Sequence, residues 1–214
     1  MTPAPSPAYA SPRPWGLYAW LAGLALLPVA FLALDPRTDA LRLWLNALRP
    51  LGPVMEGARF LGKFDTQLAA ILLAFLVLFL FRWPPAGRWL LVTVLAVLVS
   101  AVPTNLLKLA VRRERPPVTS ARIQAATVRD QIATGKCMSF PSGDTSSAFA
   151  IAIVLMAFAP GTRVWALVVA ALVGLSRIYF GAHYISDVLG GALLGSATAY
   201  LVVLWCRRRG MLSR

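Results

Sequence analysis

Charge is scarce in this sequence. Only 14% of its 214 residues are Asp, Glu, Lys or Arg, against roughly a quarter in a soluble domain of this size. That shortage, together with long uncharged runs, excludes an ordinary water-soluble globule and points to a bilayer. Acidic residues are scarcer still: eight, against 21 Lys and Arg, for a formal net charge of +13. In a soluble chain that excess would suggest nucleic acid. Here the bases sit between apolar runs, so headgroups, topology or an anionic substrate account for them, and no nucleic-acid partner is expected. Cysteine is limited to Cys137 and Cys206. The helix assignment below puts them on opposite membrane faces, so no disulfide is expected. Histidine occurs once, at His183.

What is abundant is apolar: 58% of the chain. Residues 1–14, rich in Pro, Ala and Ser, read as a disordered tail. Trp15–Leu34 is an uncharged run long enough to span, with Trp15, Tyr18 and Trp20 at one end as interface anchors. No small-x-small cleavage site follows it, which argues against a signal peptide. The stretches LRLWLNALRP (41–50) and VMEGARFLGKF (54–64) are amphipathic and suit the membrane surface. Further runs follow at Thr66–Phe81, Trp89–Leu107, Thr145–Ala159, Val164–Ser176 and Val188–Cys206. Pro103 is a candidate kink in the second of these, and Gly191 and Gly195 in the last form a GxxxG spacing for close helix packing. That spacing carries no oligomeric state.

The expected fold is therefore all-α: an integral membrane bundle of six transmembrane helices with one or two amphipathic surface helices. One domain covers 15–206, and a basic tail, 207–214, follows it. Six spans place the connections after spans one, three and five on one face. Lys108–Asp144 and Arg177–Asp187 then share a side of the membrane, and the unusual polar residues of the second half lie in those two connections.

Three short elements stand out there. They are Lys108 through Arg115-Pro116, then Phe140-Pro141-Ser142-Gly143-Asp144, then Ser176-Arg177 through His183 and Asp187. If 183–187 is helical, His183 and Asp187 share a face. A carboxylate on one ring nitrogen makes the other a better nucleophile or base. Lys108, Arg115 and Arg177, from three helix ends, could surround a dianionic phosphate, with Arg giving bidentate contact. Arg112 and Arg113 read more simply as headgroup contacts. Ser142 and Gly143 open a helix, where amides and the dipole favour an anion. A metal held by Asp144, His183 and Asp187 is the rival arrangement, disfavoured by the nearby cations. A transporter would need polar groups at mid-depth, and the spans offer little beyond Thr93, Asn105 and Ser196.

Together these elements resemble the signature of the type 2 phosphatidic acid phosphatase superfamily, KxxxxxxRP, PSGH and SRxxxxxHxxxD. The first and third match at every fixed position: Lys108, Arg115 and Pro116; Ser176, Arg177, His183 and Asp187. The resemblance implies that Lys108, Arg115 and Arg177 bind phosphate with Ser142 and the Gly143 amide. His183 would attack phosphorus, Asp187 would orient it, and water would then cleave the phosphohistidine. It implies no cofactor and no metal. Membrane members act on lipid phosphates such as phosphatidic acid and on polyprenyl diphosphates such as undecaprenyl diphosphate, and some transfer phosphate between lipids. The soluble vanadium haloperoxidases share the anion site but not a six-span layout.

The departure is Asp144, where the family has a histidine acting as general acid. Carboxyl side chains ordinarily titrate at about 4, so an aspartate is a poor proton donor at neutral pH. Three consequences stand open. The substrate is a diphosphate, whose phosphate leaving group needs little help. Or Asp144 is protonated in the substrate complex and the optimum is acidic. Or the chain is a weak phosphatase that binds lipid phosphates. With the termini cytoplasmic, only eight of the 21 bases lie inside, leaving 13 outside. The positive-inside tendency opposes that orientation. The resemblance favours it, implying a bacterial inner-membrane protein with its active site toward the periplasm.

Overall fold

The computed structural model describes residues 30–48, 50–80, 86–116 and 138–211, together with 22, 23 and 26. The first 14 residues, most of the first apolar run, residues 81–85, residues 117–137 with Cys137, and the last three residues lie outside the described residues. Among the described residues, a π-turn, Ala30–Leu34, and a 3-10 turn, Asp35–Arg37, lead into seven α-helices. These are α1 (Thr38–Ala47), α2 (Leu51–Gly62), α3 (Phe64–Leu80), α4 (Ala86–Val111), α5 (Gly143–Phe158), α6 (Arg163–Tyr179) and α7 (Ile185–Arg208). No strand occurs among the described residues.

The two surface helices follow their apolar spacing. In α2, Met55, Ala58 and Gly62 are buried while Val54, Phe60 and Leu61 face outward. In α1, Leu45 is buried and Leu43 and Trp44 are exposed, the outward apolar pair that suits an interface.

Among the described residues, two helices are long and apolar enough to cross a membrane, Gly87–Val111 and Ile185–Arg208. Protein covers only 28% and 33% of their apolar windows, so most of that surface faces outward. The 26 residues of α4 rise about 39 Å, more than the ~30 Å hydrocarbon core. The helices α3, α5 and α6 are shorter, at 17, 16 and 17 residues. Pro103 lies inside α4 without ending it. The hydroxyls of Ser100 and Thr104 donate back to the carbonyls of Val97 and Ser100. The last helix runs on through Arg207 and Arg208.

The core lies where α4, α5 and α7 meet, around Val92, Ala96, Ala150, Val154, Ala199 and Val203. A second cluster joins α5 to α6 through Ala148, Ala152, Ala166, Ala170 and Val173. Small residues bring the backbones together. A Cβ at Gly191 would stand 2.4 Å from the Ser142 carbonyl oxygen, and one at Gly195 would stand 2.0 Å from that of Ser146. The GxxxG spacing thus lets α7 lie directly against α5. This packing fixes the start of α5 beside the start of α7, which is where the polar residues gather.

Candidate active site

The chain reverses between α6 and α7. Gly181 takes φ 66, which a side chain would oppose. The Arg177 carbonyl accepts from the amides of Ala182 and His183, at 2.9 and 3.3 Å. His183 is consequently held in the turn and not on a helix, because α7 begins only at Ile185. The expectation that His183 and Asp187 pair across one helical face is corrected here. Asp187 is instead the third residue of α7, and its Oδ2 accepts from the Tyr184 amide at 2.9 Å. That local cap satisfies an otherwise orphan helix donor.

The same Oδ2 lies 3.5 Å from His183 Nδ1. That is long for a hydrogen bond, and such contacts often tighten only with substrate bound. The Ser139 hydroxyl stands between the two groups. It donates to Asp187 Oδ2 at 2.5 Å and lies 3.4 Å from His183 Nδ1. With Nδ1 turned to the carboxylate, Nε2 is the ring nitrogen left for chemistry. His183 is 3% exposed. Burial pushes its imidazole below the ordinary value against the upward pull of Asp187, and Arg115 and Arg177 push the same way as burial. The neutral form of the ring is thereby favoured.

Lys108 lies in the last turn of α4, and a Cβ on Gly143 would stand 3.6 Å from its Nζ. It lies within electrostatic range of Arg115, Arg177, Asp144 and Asp187. Burial holds the Arg115 guanidinium below its free value, with repulsion from Arg177 adding to it. Ser142 is fully buried at the start of α5; its amide donates to the Asp187 carbonyl and its hydroxyl accepts from Thr145, each at 2.9 Å. Asp144 Oδ2 lies 3.2 Å from Arg177 Nε. Lys108, Arg115, Ser142, Gly143, Asp144, Arg177, His183 and Asp187 therefore gather in one region. Among the described residues no group of three His, Cys, Asp or Glu forms a metal-holding cluster.

Arg113 is not a headgroup contact. Arg112 takes φ 47 and caps α4, staying exposed itself, and the chain then turns Arg113 inward. Arg113 donates to Asp187 Oδ1 at 2.9 Å, to Ser186 Oγ at 2.6 Å and to Asp35 Oδ2 at 2.6 Å. No motif or spacing in the sequence marks Asp35, Ser139 or Ser186. The only sequence signal for Asp35 is an acid at the very edge of an apolar run, in a chain with few acids.

A family model matches this arrangement over residues 87–211, more than half of the chain, and its description is the PAP2 superfamily. The chain belongs to the PAP2 superfamily. Among solved structures, a transmembrane PAP2-type phosphatidylglycerolphosphate phosphatase from Bacillus subtilis superposes with a TM-score of 0.65 at 25% identity. That match covers 92% of this chain and 96% of the other. LpxE of Aquifex aeolicus gives 0.58 at 28% identity, over 78% and 93% of the two chains. The bacitracin transport permease protein BcrC of Bacillus licheniformis is 46% identical over 67 residues, 31% of this chain and 32% of that protein. This PAP2 chain spans about a third or less of the length of the curated relatives it matches.

Proposed function

We propose that this PAP2 chain is a membrane lipid-phosphate phosphatase that works without metal through a phosphoryl group carried on His183. The observation that carries the reading is the buried His183, with Nδ1 toward Asp187 and with Arg115 and Arg177 acting on it. Lys108, Arg115 and Arg177, the Gly143 amide and the Ser142 hydroxyl hold the non-bridging oxygens. The Nε2 lone pair forms the N–P bond as the bond from phosphorus to the leaving oxygen breaks. Asp187 stabilises the imidazolium. Water then breaks the N–P bond, releasing phosphate and returning neutral imidazole. Positioning and charge neutralisation carry most of such a barrier.

The substrate we infer is a polyprenyl diphosphate or a similar lipid diphosphate. Asp144 stands in an ion pair with Arg177, which suits a carboxylate and not a proton donor. A phosphate leaving group departs without that proton. An apolar groove of about 500 Å³ between α3, α4, α5 and α6 is lined by residues including Ile71, Leu90, Ile151 and Val169. It reaches Val173, whose side chain and that of Asp144 both flank Gly62. A lipid chain in that groove would end near the site. The same Asp144–Arg177 pair favours a second reading, a weak phosphatase that chiefly binds lipid phosphates. A phosphotransferase would differ only in its acceptor.

We further infer six spans within one domain, residues 15–206, between an N-terminal tail, 1–14, and a basic C-terminal segment, 207–214. The active site faces the periplasmic side of a bacterial inner membrane. Outward-facing Leu73 on α3, Val102 on α4 and Trp165 on α6 support lipid contact on each of these helices. The test is phosphate release by the detergent-purified full chain with no added metal, on a polyprenyl diphosphate and on phosphatidic acid. Release that disappears in His183→Ala is expected. Release that survives that substitution removes the phosphohistidine, and release from neither lipid leaves the binder.

A further inference from the structure

Asp187 is gripped from both sides. Its Oδ2 meets Tyr184, Ser139 and His183, while its Oδ1 accepts from Arg113. The other arm of Arg113 reaches Asp35, which lies 78 positions away in the chain and is 8% exposed. Asp35 in turn accepts from the Ser186 amide at 3.0 Å and from the Ser186 hydroxyl at 2.6 Å. Thr38 Oγ1 accepts from the Ile185 amide at 3.3 Å. The segment before α1 thus takes up the free donors at the start of α7. The Arg113 guanidinium lies 3.9 Å from the Tyr184 ring centre and 4.6 Å from that of Phe31, contacts that fix its plane. Its carbonyl accepts from the Ser139 amide at 2.9 Å, so the same residue also places the hydroxyl that donates to Asp187.

We propose that Arg113 and Asp35 are positioning residues that hold Asp187 turned toward His183. The inference rests on the phosphohistidine reading above and adds to it a contribution from the N-terminal segment. Both arms of Arg113 are committed to carboxylates, so it is not a further phosphate ligand. Its forked, planar head spans Asp35 and Asp187 at once, which a lysine ammonium cannot do. Without it, two carboxylates face each other across Ser186 in a buried site, and they cannot both stay charged and in place. The hold of Asp187 on His183 is then lost.

The experiment uses the full chain in detergent micelles, with Arg113→Ala, Arg113→Lys and Asp35→Asn beside the wild type and His183→Ala. On a lipid phosphate, Arg113→Ala lowers kcat on the order of 10–100-fold, the usual effect of losing a partner behind an oriented histidine. KM stays within about twofold, and Arg113→Lys restores part of the rate. The single histidine allows a second readout, the NMR titration of the His183 ring. Around that ring stand Asp187 and Ser139, with Arg115 and Arg177 acting on it from other elements. Loss of the Asp187 hold lowers the His183 midpoint in Arg113→Ala, and lowers it less in Asp35→Asn. If Arg113→Ala does not fold, Arg113→Lys and Asp35→Asn decide. A midpoint that stays or rises overturns the clamp, whatever the turnover. A wild type that releases no phosphate overturns the phosphatase reading and leaves the titration to judge the clamp.

Discussion

Asp144 Oδ2 sits 3.2 Å from Arg177 Nε, yet that N–H makes no hydrogen bond. The contact is one of charge, without a directed bond. It places a carboxylate where the family signature carries a proton-donating histidine. Asp144→His should therefore raise hydrolysis of a lipid monoester by tenfold or more, since a general acid contributes roughly 10²–10⁴. A diphosphate, which leaves unaided, should change by less than about threefold. Phosphate release from the two lipids in parallel checks this. An equal gain on both would sink the leaving-group argument.

The same pair also occupies a proposed phosphate ligand. Asp144→Asn frees Arg177 and should tighten inhibition by inorganic phosphate. The Asp144 side chain is 29% exposed, so solvent weakens the pair. A partly exposed ion pair is worth about 0.2–1 kcal/mol, which corresponds to a gain of about 1.5–5-fold. Inhibition constants for orthophosphate measure it, and weaker inhibition in Asp144→Asn would contradict the competition.

The pH dependence follows from His183. In the proposed mechanism attack needs the neutral ring, and burial holds its titration below the 6.5 of a free imidazole. The acid limb of kcat/KM should accordingly fall below pH 6.5, with activity retained in mildly acidic buffer. The sign for stability runs the same way. Below 6.5 the unfolded chain takes up a proton that the folded site refuses, so stability drops as pH falls from there toward the folded midpoint, then levels. His183→Ala should remove that contribution from a denaturation series across pH. A limb at or above 6.5 would mean that Asp187 outweighs burial.

What the sequence made legible is what helix geometry controls locally. Apolar runs mark where helices emerge, so Lys108 and Arg177 could be read as helix ends from spacing. Arg115 does not come from a third end: it lies in the coil that directly follows α4, the helix that carries Lys108. Gly191 and Gly195 were readable because a four-residue step repeats a helix face. The His183–Asp187 spacing drew attention to two residues that do lie close together, but not across one helical face. Gly181 breaks the helix, and Asp187 reaches back as a cap. Arg113 and Asp35 were not readable. Their bond joins residues far apart in the chain, and neither period nor composition marks it. Arg112 and Arg113 are adjacent and alike in the sequence, yet Arg112 is exposed while Arg113 turns inward to Asp35 and Asp187.

Close packing of α5 on α7 supplies the sharpest stability test. A methyl at position 195 would lie 2.0 Å from the Ser146 carbonyl oxygen, a backbone atom that cannot rotate aside. Gly195→Ala must push the two helices apart. The expected loss is about 1–3 kcal/mol or more, the scale of overpacking in a tight core. Separation also strains the Ser142 amide bond to the Asp187 carbonyl, one link between the phosphate turn and the histidine turn. Activity should fall with stability. On α2, a Cβ at Gly57 meets nothing within 4 Å. There Gly57→Ala should be neutral or stabilise by up to about 1 kcal/mol, through helix propensity alone. Thermal unfolding of both variants in the same detergent compares them directly. A Gly195→Ala protein as stable as Gly57→Ala would mean that the helices are not held by this contact.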